Sequence, residues 1–178
     1  MRDVFWNGAS IGCGHELFPW LHDHGSLTQR IQQRCQRFEV RSVRSGLARI
    51  AYDEAGLLRI KPQQLAYSRE VFLVADGVPV VFAHSTCAAQ QLRGPWSALA
   101  GLGNRPLGAM LFTHPLVRRR ALHFKLLREH HPLFKQALPT GGASVLWARR
   151  SIFELQQVPL LVTEVFMPGI FELSGDCY

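Results

Sequence analysis

Two apolar runs near the end of the chain, SVLWARRSIFEL and VPLLVTEVFMP, are separated only by the short link around Gln156-Gln157. Both are rich in residues that suit a strand, and two strands joined so closely form an antiparallel hairpin. A second unit repeats the pattern. AYSREVFLVADGVPVVFAHSTC holds two strand-like runs around Asp76-Gly77, a strong hairpin signal. Pro79 then belongs at a sheet edge or at the start of its strand. Residues 118–127 alternate, with Leu122, Phe124 and Leu126 in one phase, which predicts a half-buried strand. VRSVRSGLARIAY supplies another strand or two, and Pro62 marks the turn that follows it.

The helical signals are shorter. SLTQRIQQRCQRF carries a stripe of Leu27, Ile31, Cys35 and Phe38 behind Ser26, a good N-cap. HELFPW and HHPLFKQALP suggest helical turns, and residues 94–116 suggest more, interrupted by a tight loop at GNRPLG. Together these predict an α+β fold, one antiparallel sheet with helices on one face. With 178 residues and 47% hydrophobic content, the chain suits a single globular domain spanning 1–178.

The formal net charge of +7 admits nucleic acid, a membrane surface or an anionic metabolite as partner, and does not choose among them. Arg118, Arg119 and Arg120 read as a solvated face, without the interleaved aromatics of an RNA-binding sheet. Nucleic acid is therefore not an expected partner. The four cysteines, Cys13, Cys35, Cys87 and Cys177, include no CxxC and read as free thiols. MRDVFWNGASIGCG lacks the apolar core of a signal peptide, and no apolar run approaches the ~20 residues of a membrane span. The expected location is the cytoplasm, without stable membrane insertion. No HExxH, GxSxG, Walker or dinucleotide spacing occurs, so no metal or hydrolase chemistry is expected. The backbone amides of GNRPLG could still face an anion.

Two charged residues interrupt apolar strands. Glu164 shares a face with Leu160, Val162 and Phe166, while the opposite face is also apolar. A carboxylate buried there needs a partner, so Glu164 is either half of a structural ion pair, with Arg149 or Arg150, or a functional group in a closed pocket. Arg69 falls in phase with Tyr67, Val71 and Leu73, and Glu70 points the other way. A buried guanidinium needs an anion, which a structural acid or a substrate carboxylate could supply.

SLTQRI, YSREVFLVADGVPVVFAHS, RPLGAMLF, LWARRSIFEL and PLLVTEVFMP resemble, in order and spacing, the chorismate pyruvate-lyase family over residues 21–168. The resemblance implies a sheet of about six strands with flaps over an internal ligand site, the chorismate lyase-like fold. It implies a monomer that converts chorismate to 4-hydroxybenzoate and pyruvate, the first step of ubiquinone synthesis, without a cofactor. Arg69 would bind the ring carboxylate, assisted by the backbone amides of Leu27 and Leu107, and Glu164 would meet the ring oxygen at the other end. His84 would stand near the substrate where some members carry arginine. A non-catalytic binding protein for an aromatic carboxylate such as 4-hydroxybenzoate is the alternative. The lyase reaction aromatises its substrate, so an enzyme needs chiefly to position it and exclude water, which fits few titratable groups.

Overall fold

The computed structural model describes residues 5–138 and 142–173; Cys177 lies outside them. The strands are β1 (Phe38–Arg49), β2 (Leu65–Ala75), β3 (Val78–Ala88), β4 (Arg118–Arg119), β5 (His123–Arg128), β6 (Val145–Leu155) and β7 (Val158–Phe166). They form one antiparallel sheet in the order β1-β2-β3-β7-β6-β4, with β5 also paired to β6. Between β3 and β4 the chain leaves the sheet; β4 and β5 return to it beside β6, and the β6–β7 hairpin places β7 against β3. The predicted strand around residue 122 is two pieces, because Ala121 and Leu122 are not laddered to β6.

Both hairpin turns have positive φ at their two central residues, as the right-handed strand twist demands. At Asp76 and Gly77 the angles are 49° and 87°. Glycine fits the second of these without strain. At Gln156 and Gln157 they are 52° and 66°, which glutamine adopts only at a cost. Pro79 is the second residue of a central strand, where the ladder register shifts between Leu73 and Val74.

The short helices are α1 (Phe18–Leu21), α2 (Leu27–Gln32), α3 (Tyr52–Ala55), α4 (Leu107–Thr113) and α5 (Pro132–Ala137). Ser26 caps α2 as expected, accepting from the Gln29 amide at 3.3 Å. The helix stops earlier than the apolar stripe predicts. The Asp76 carboxylate takes the Gln36 and Arg37 amides at 3.0 and 2.7 Å, and Phe38 is already paired with Ala75. Cys35 and Phe38 still pack on the core, from a loop and a strand. Two 3-10 segments, Ala89–Arg93 and Ser97–Gly101, lead to the GNRPLG loop and α4.

The helices cover both faces, which corrects the one-face expectation. α2 and α4 lie over the face that carries Arg69 and Glu164. On the other, Phe134 and Ala137 of α5 pack on Phe82, Leu127, Leu146 and Val165. The reason is in β3 and β7, which are apolar on both sides and must be covered on both. Trp96, 1% exposed, locks the 3-10 segments to the sheet, its indole donating to the Val158 carbonyl at 3.1 Å.

The strained turn yields a stability prediction. Replacing Gln156-Gln157 by Asn-Gly should raise stability by about 1 kcal/mol, because left-handed non-glycine residues cost of that order. Chemical denaturation checks it; an unchanged or lower midpoint would contradict the assignment of strain.

Candidate active site

The first face of the sheet and the helices above it line a partly open cavity. Its floor is set by the ladder. Arg69 on β2 is paired with Ser85 on β3, which is paired with Val162 on β7. Glu164 stands one inward-facing step further along β7, opposite Ala83. At ~4.8 Å between strands and ~6.7 Å per two residues, the Arg69 and Glu164 α-carbons lie roughly 12 Å apart. All four side chains line the cavity with Arg69 and Glu164 at different ends of its floor.

Arg69 is 3% exposed. Its Nη2 donates to the carbonyls of Gly103 and Arg105, at 2.9 and 3.0 Å. These bonds tie β2 to the loop before α4. The loop therefore turns carbonyls towards this arginine at those two positions, not the amides expected of GNRPLG. No acidic side chain among the described residues pairs with Arg69, so the structural-acid reading is left without a partner. Burial pulls the guanidinium below its ordinary pKa, with nearby Tyr67 opposing. A desolvated cation of this kind favours an incoming anion.

Glu164 has both features that sequence alone held as alternatives. It lines the cavity, and its Oε2 accepts from Arg149 Nε at 2.6 Å. Arg149 is the cross-strand neighbour on β6 and is 0% exposed. Its Nη1 donates to the carbonyls of Trp20 and Asp23 at 2.8 and 2.7 Å, and more weakly to Leu21. The pair thus joins β6, β7 and the end of α1. Oε1 of Glu164 carries no hydrogen bond among the described residues and remains available to a ligand.

The next residue on β6 repeats the device on the opposite face. Arg150 donates to Asp53 at 2.6 Å and stacks over Trp6, 4.3 Å from its centroid. The period of two along β6 sends adjacent arginines to opposite sides of the sheet.

Arg119 is a cavity residue that the sequence reading missed. The Arg118–Arg120 run is not uniformly solvated: Arg118 and Arg120 are exposed, while Arg119 turns inward. Its Nε donates to Ser151 Oγ at 2.8 Å and its Nη1 to the His24 carbonyl at 3.2 Å. Burial pushes its pKa down to about 10, against the pull of Glu164. Sequence alternation would have put Arg118 and Arg120 in phase with Leu122 and Phe124; the pairing of Arg119 with Phe153 on β6 turns it inward instead.

Leu27 and Leu107 begin α2 and α4, and both line the cavity. First-turn amides have no intrahelical acceptor. The two helices approach closely at Gly108, where a Cβ would lie 3.1 Å from both Ser26 Oγ and Thr28 Oγ1.

His84 departs from expectation. Alternation along β3 sends Ala83 and Ser85 into the Arg69 cavity and His84 out of the other face. There Nε2 lies 3.2 Å from Glu54 Oε1, and Nδ1 lies 3.3 Å from Glu70 Oε1, outside hydrogen-bonding geometry. Burial lowers the imidazole pKa, but the two carboxylates outweigh it and hold it up at about 9. It is a buried cation that binds α3 to the sheet. Among the described residues no cluster of His, Cys, Asp or Glu is arranged to hold a metal, and no helix is long and apolar enough to cross a membrane. Cys87 is buried, which pushes its thiol up to about 12 and makes it a poor nucleophile.

His84 sets a pH prediction. Its folded pKa of about 9 is above the ordinary 6.5, so its stabilisation is complete below 6.5 and is lost as pH rises through 9. The contribution is on the order of 3 kcal/mol. The stability gap between wild type and His84→Gln should therefore shrink from pH 6 to pH 10. A gap independent of pH would contradict a charged His84.

The chorismate lyase family model matches residues 9–175. "Probable chorismate pyruvate-lyase" of Nitrosomonas europaea is 46% identical over 170 residues, covering 94% of this chain and 96% of that protein. The protein of the same name from Aromatoleum aromaticum is 48% identical over 161 residues, covering 88% and 87%. Among solved structures, the effector domain of PhnF from Mycobacterium smegmatis aligns with a TM-score of 0.58 at 15% identity, covering 81% of this chain and 89% of that one. A GntR-family transcriptional regulator from Bacillus cereus aligns with a TM-score of 0.54 at 11% identity, covering 74% and 92%. These structural likenesses concern the fold alone. The family match over nearly the whole chain, with relatives similar along their full length, shows that this chain belongs to the chorismate lyase family.

Proposed function

We propose that this chain is a chorismate pyruvate-lyase whose reaction takes place in the cavity between Arg69 and Glu164. The observation that carries the reading is the two-ended cavity. A buried guanidinium without an acidic partner among the described residues stands at one end, and a carboxylate with an available oxygen at the other. A ring with a carboxylate on one side and a hydroxyl opposite fits that polarity. The Arg69 fork receives the ring carboxylate, and the amides of Leu27 and Leu107 complete its hydrogen bonds. α2 and α4 act as flaps, closed over the ring by the contact at Gly108.

The chemistry asks little of the protein. The ring carbon that bears the hydroxyl loses its proton, and the neighbouring C–O bond to the enolpyruvyl group breaks. The ring becomes aromatic 4-hydroxybenzoate, and the enolpyruvate takes up a proton to give pyruvate. Atoms and charge balance without an oxidant or a second substrate. The product, 4-hydroxybenzoate, is the entry compound of ubiquinone synthesis. Arg69 fixes the ring, and the apolar walls exclude water and strengthen the charge contacts. Glu164 meets the ring hydroxyl, held in place by Arg149 from behind.

The direct test is incubation with chorismate, which should release 4-hydroxybenzoate and pyruvate in equal amounts. Tight 4-hydroxybenzoate binding without turnover would replace the lyase by a binding protein. Arg69→Ala should weaken 4-hydroxybenzoate binding by about 2–5 kcal/mol, with only partial rescue by lysine, which lacks the fork. Unchanged binding would remove Arg69 from the site.

Glu164→Gln separates two roles. A group that moves a proton in the transition state should cost about 10²–10⁴-fold in kcat when it is lost. A mere hydrogen-bond acceptor would leave kcat near wild type and shift product affinity. We expect the kcat loss, together with a lower melting temperature because buried Arg149 keeps only a neutral partner. A variant with wild-type kcat would refute the proton-transfer role.

A further inference from the structure

The cavity holds one more positive charge than the ring carboxylate uses. Among the described residues its charged lining consists of Arg69, Arg119 and Glu164. Glu164 is already compensated by Arg149, which leaves two guanidinium groups facing the space. No acid among the described residues pairs with either. Arg119 belongs to β4, which lies on the far side of β6 from β7. It therefore enters from the edge opposite β2 and Arg69.

Its setting is built, not incidental. Ser151 and the His24 carbonyl fix two of its nitrogens. The rings of Phe112 and Phe153 flank it, 5.7 and 5.3 Å from its Cζ. Nη2 carries no hydrogen bond among the described residues. A guanidinium oriented by a hydroxyl and a carbonyl and walled by aromatic faces is prepared for an anion in low dielectric.

Resting on the lyase reading, we propose that Arg119 binds the second carboxylate of chorismate, the one on the enolpyruvyl group. Two cations then meet a dianion, one at each carboxylate. The assignment makes Arg119 a specificity residue. It recognises the substrate, which has two carboxylates, and has no counterpart on 4-hydroxybenzoate, which has one. The second carboxylate leaves with pyruvate, so the contact is lost when the ether bond breaks. Arg69 serves substrate and aromatic product alike, whereas Arg119 distinguishes them.

The test compares two ligands and one substrate analogue. In Arg119→Met, kcat/KM for chorismate should fall at least about 30-fold, as expected for loss of a buried charge contact. The dissociation constant for 4-hydroxybenzoate should change less than about threefold, a result that also reports an intact site. Arg119→Lys should fall between the two in kcat/KM. A chorismate analogue methyl-esterified on the enolpyruvyl carboxylate provides a check that needs no variant. Wild type should strongly prefer chorismate to this ester, and Arg119→Met should lose the preference. Equal losses for chorismate and 4-hydroxybenzoate would overturn the proposal. So would wild type that turns over chorismate and the ester alike, which leaves the lyase reading standing. Wild type that leaves chorismate intact would remove the lyase reading itself.

Discussion

The contact between Arg149 and Glu164 fixes the geometry on which the site depends. Two charges stand on adjacent central strands, one of them wholly buried, at 2.6 Å. Such a pair contributes little net stability over an apolar replacement, because desolvation offsets the attraction. Its consequences are positional. Arg149 also takes backbone carbonyls from the end of α1, so the segment that leads into α2 is tied to the same guanidinium. One side chain thus orients the carboxylate at the cavity floor and holds the chain that runs to its roof. Removing the carboxylate leaves the wholly buried Arg149 without its counter-charge, a cost of about 3–5 kcal/mol.

A second arginine ties floor to roof at the other end. Arg69 bonds the loop before α4 through Gly103 and Arg105, just as Arg149 bonds the segment before α2. Both helices begin at the cavity, and they meet where Gly108 has no side chain. The opposite face follows the same economy with a different chemistry, a histidine cation between Glu54 and Glu70. The sheet separates the two charge systems, and strand alternation assigns each residue to one or the other.

That alternation explains what was legible in the sequence. The two hairpins, the shared phase of Arg69 with Val71 and Leu73, and the opposite phase of Glu70 follow from period two and the turn residues, whereas the inward face of Glu164 did not, since both faces of its strand are apolar. The same rule applied to VVFAHST would have separated His84 from the cavity, since Ala83 and Ser85 are its neighbours in the inward phase. Arg119 was hidden because three consecutive arginines look like surface, and only pairing with β6 sets their phase. The early end of α2 was not legible, since it depends on Asp76, some forty residues away, capturing the Gln36 and Arg37 amides. The choice between ion pair and functional acid at Glu164 was not legible either. The carboxylate forms the ion pair through one oxygen and still lines the cavity, so the pair does not withdraw it from that space. Helices on both faces follow from strands that are apolar on both sides, a feature visible in VPLLVTEVFMP.

The account rests on a ligand lying between Arg69 and Glu164. A crystal structure with bound 4-hydroxybenzoate tests this most directly. The account predicts the carboxylate on the Arg69 guanidinium and the amides of Leu27 and Leu107, with the phenolic oxygen at Glu164. A ligand bound in the reverse orientation, or in the cavity beside His84 on the other face of the sheet, would contradict it.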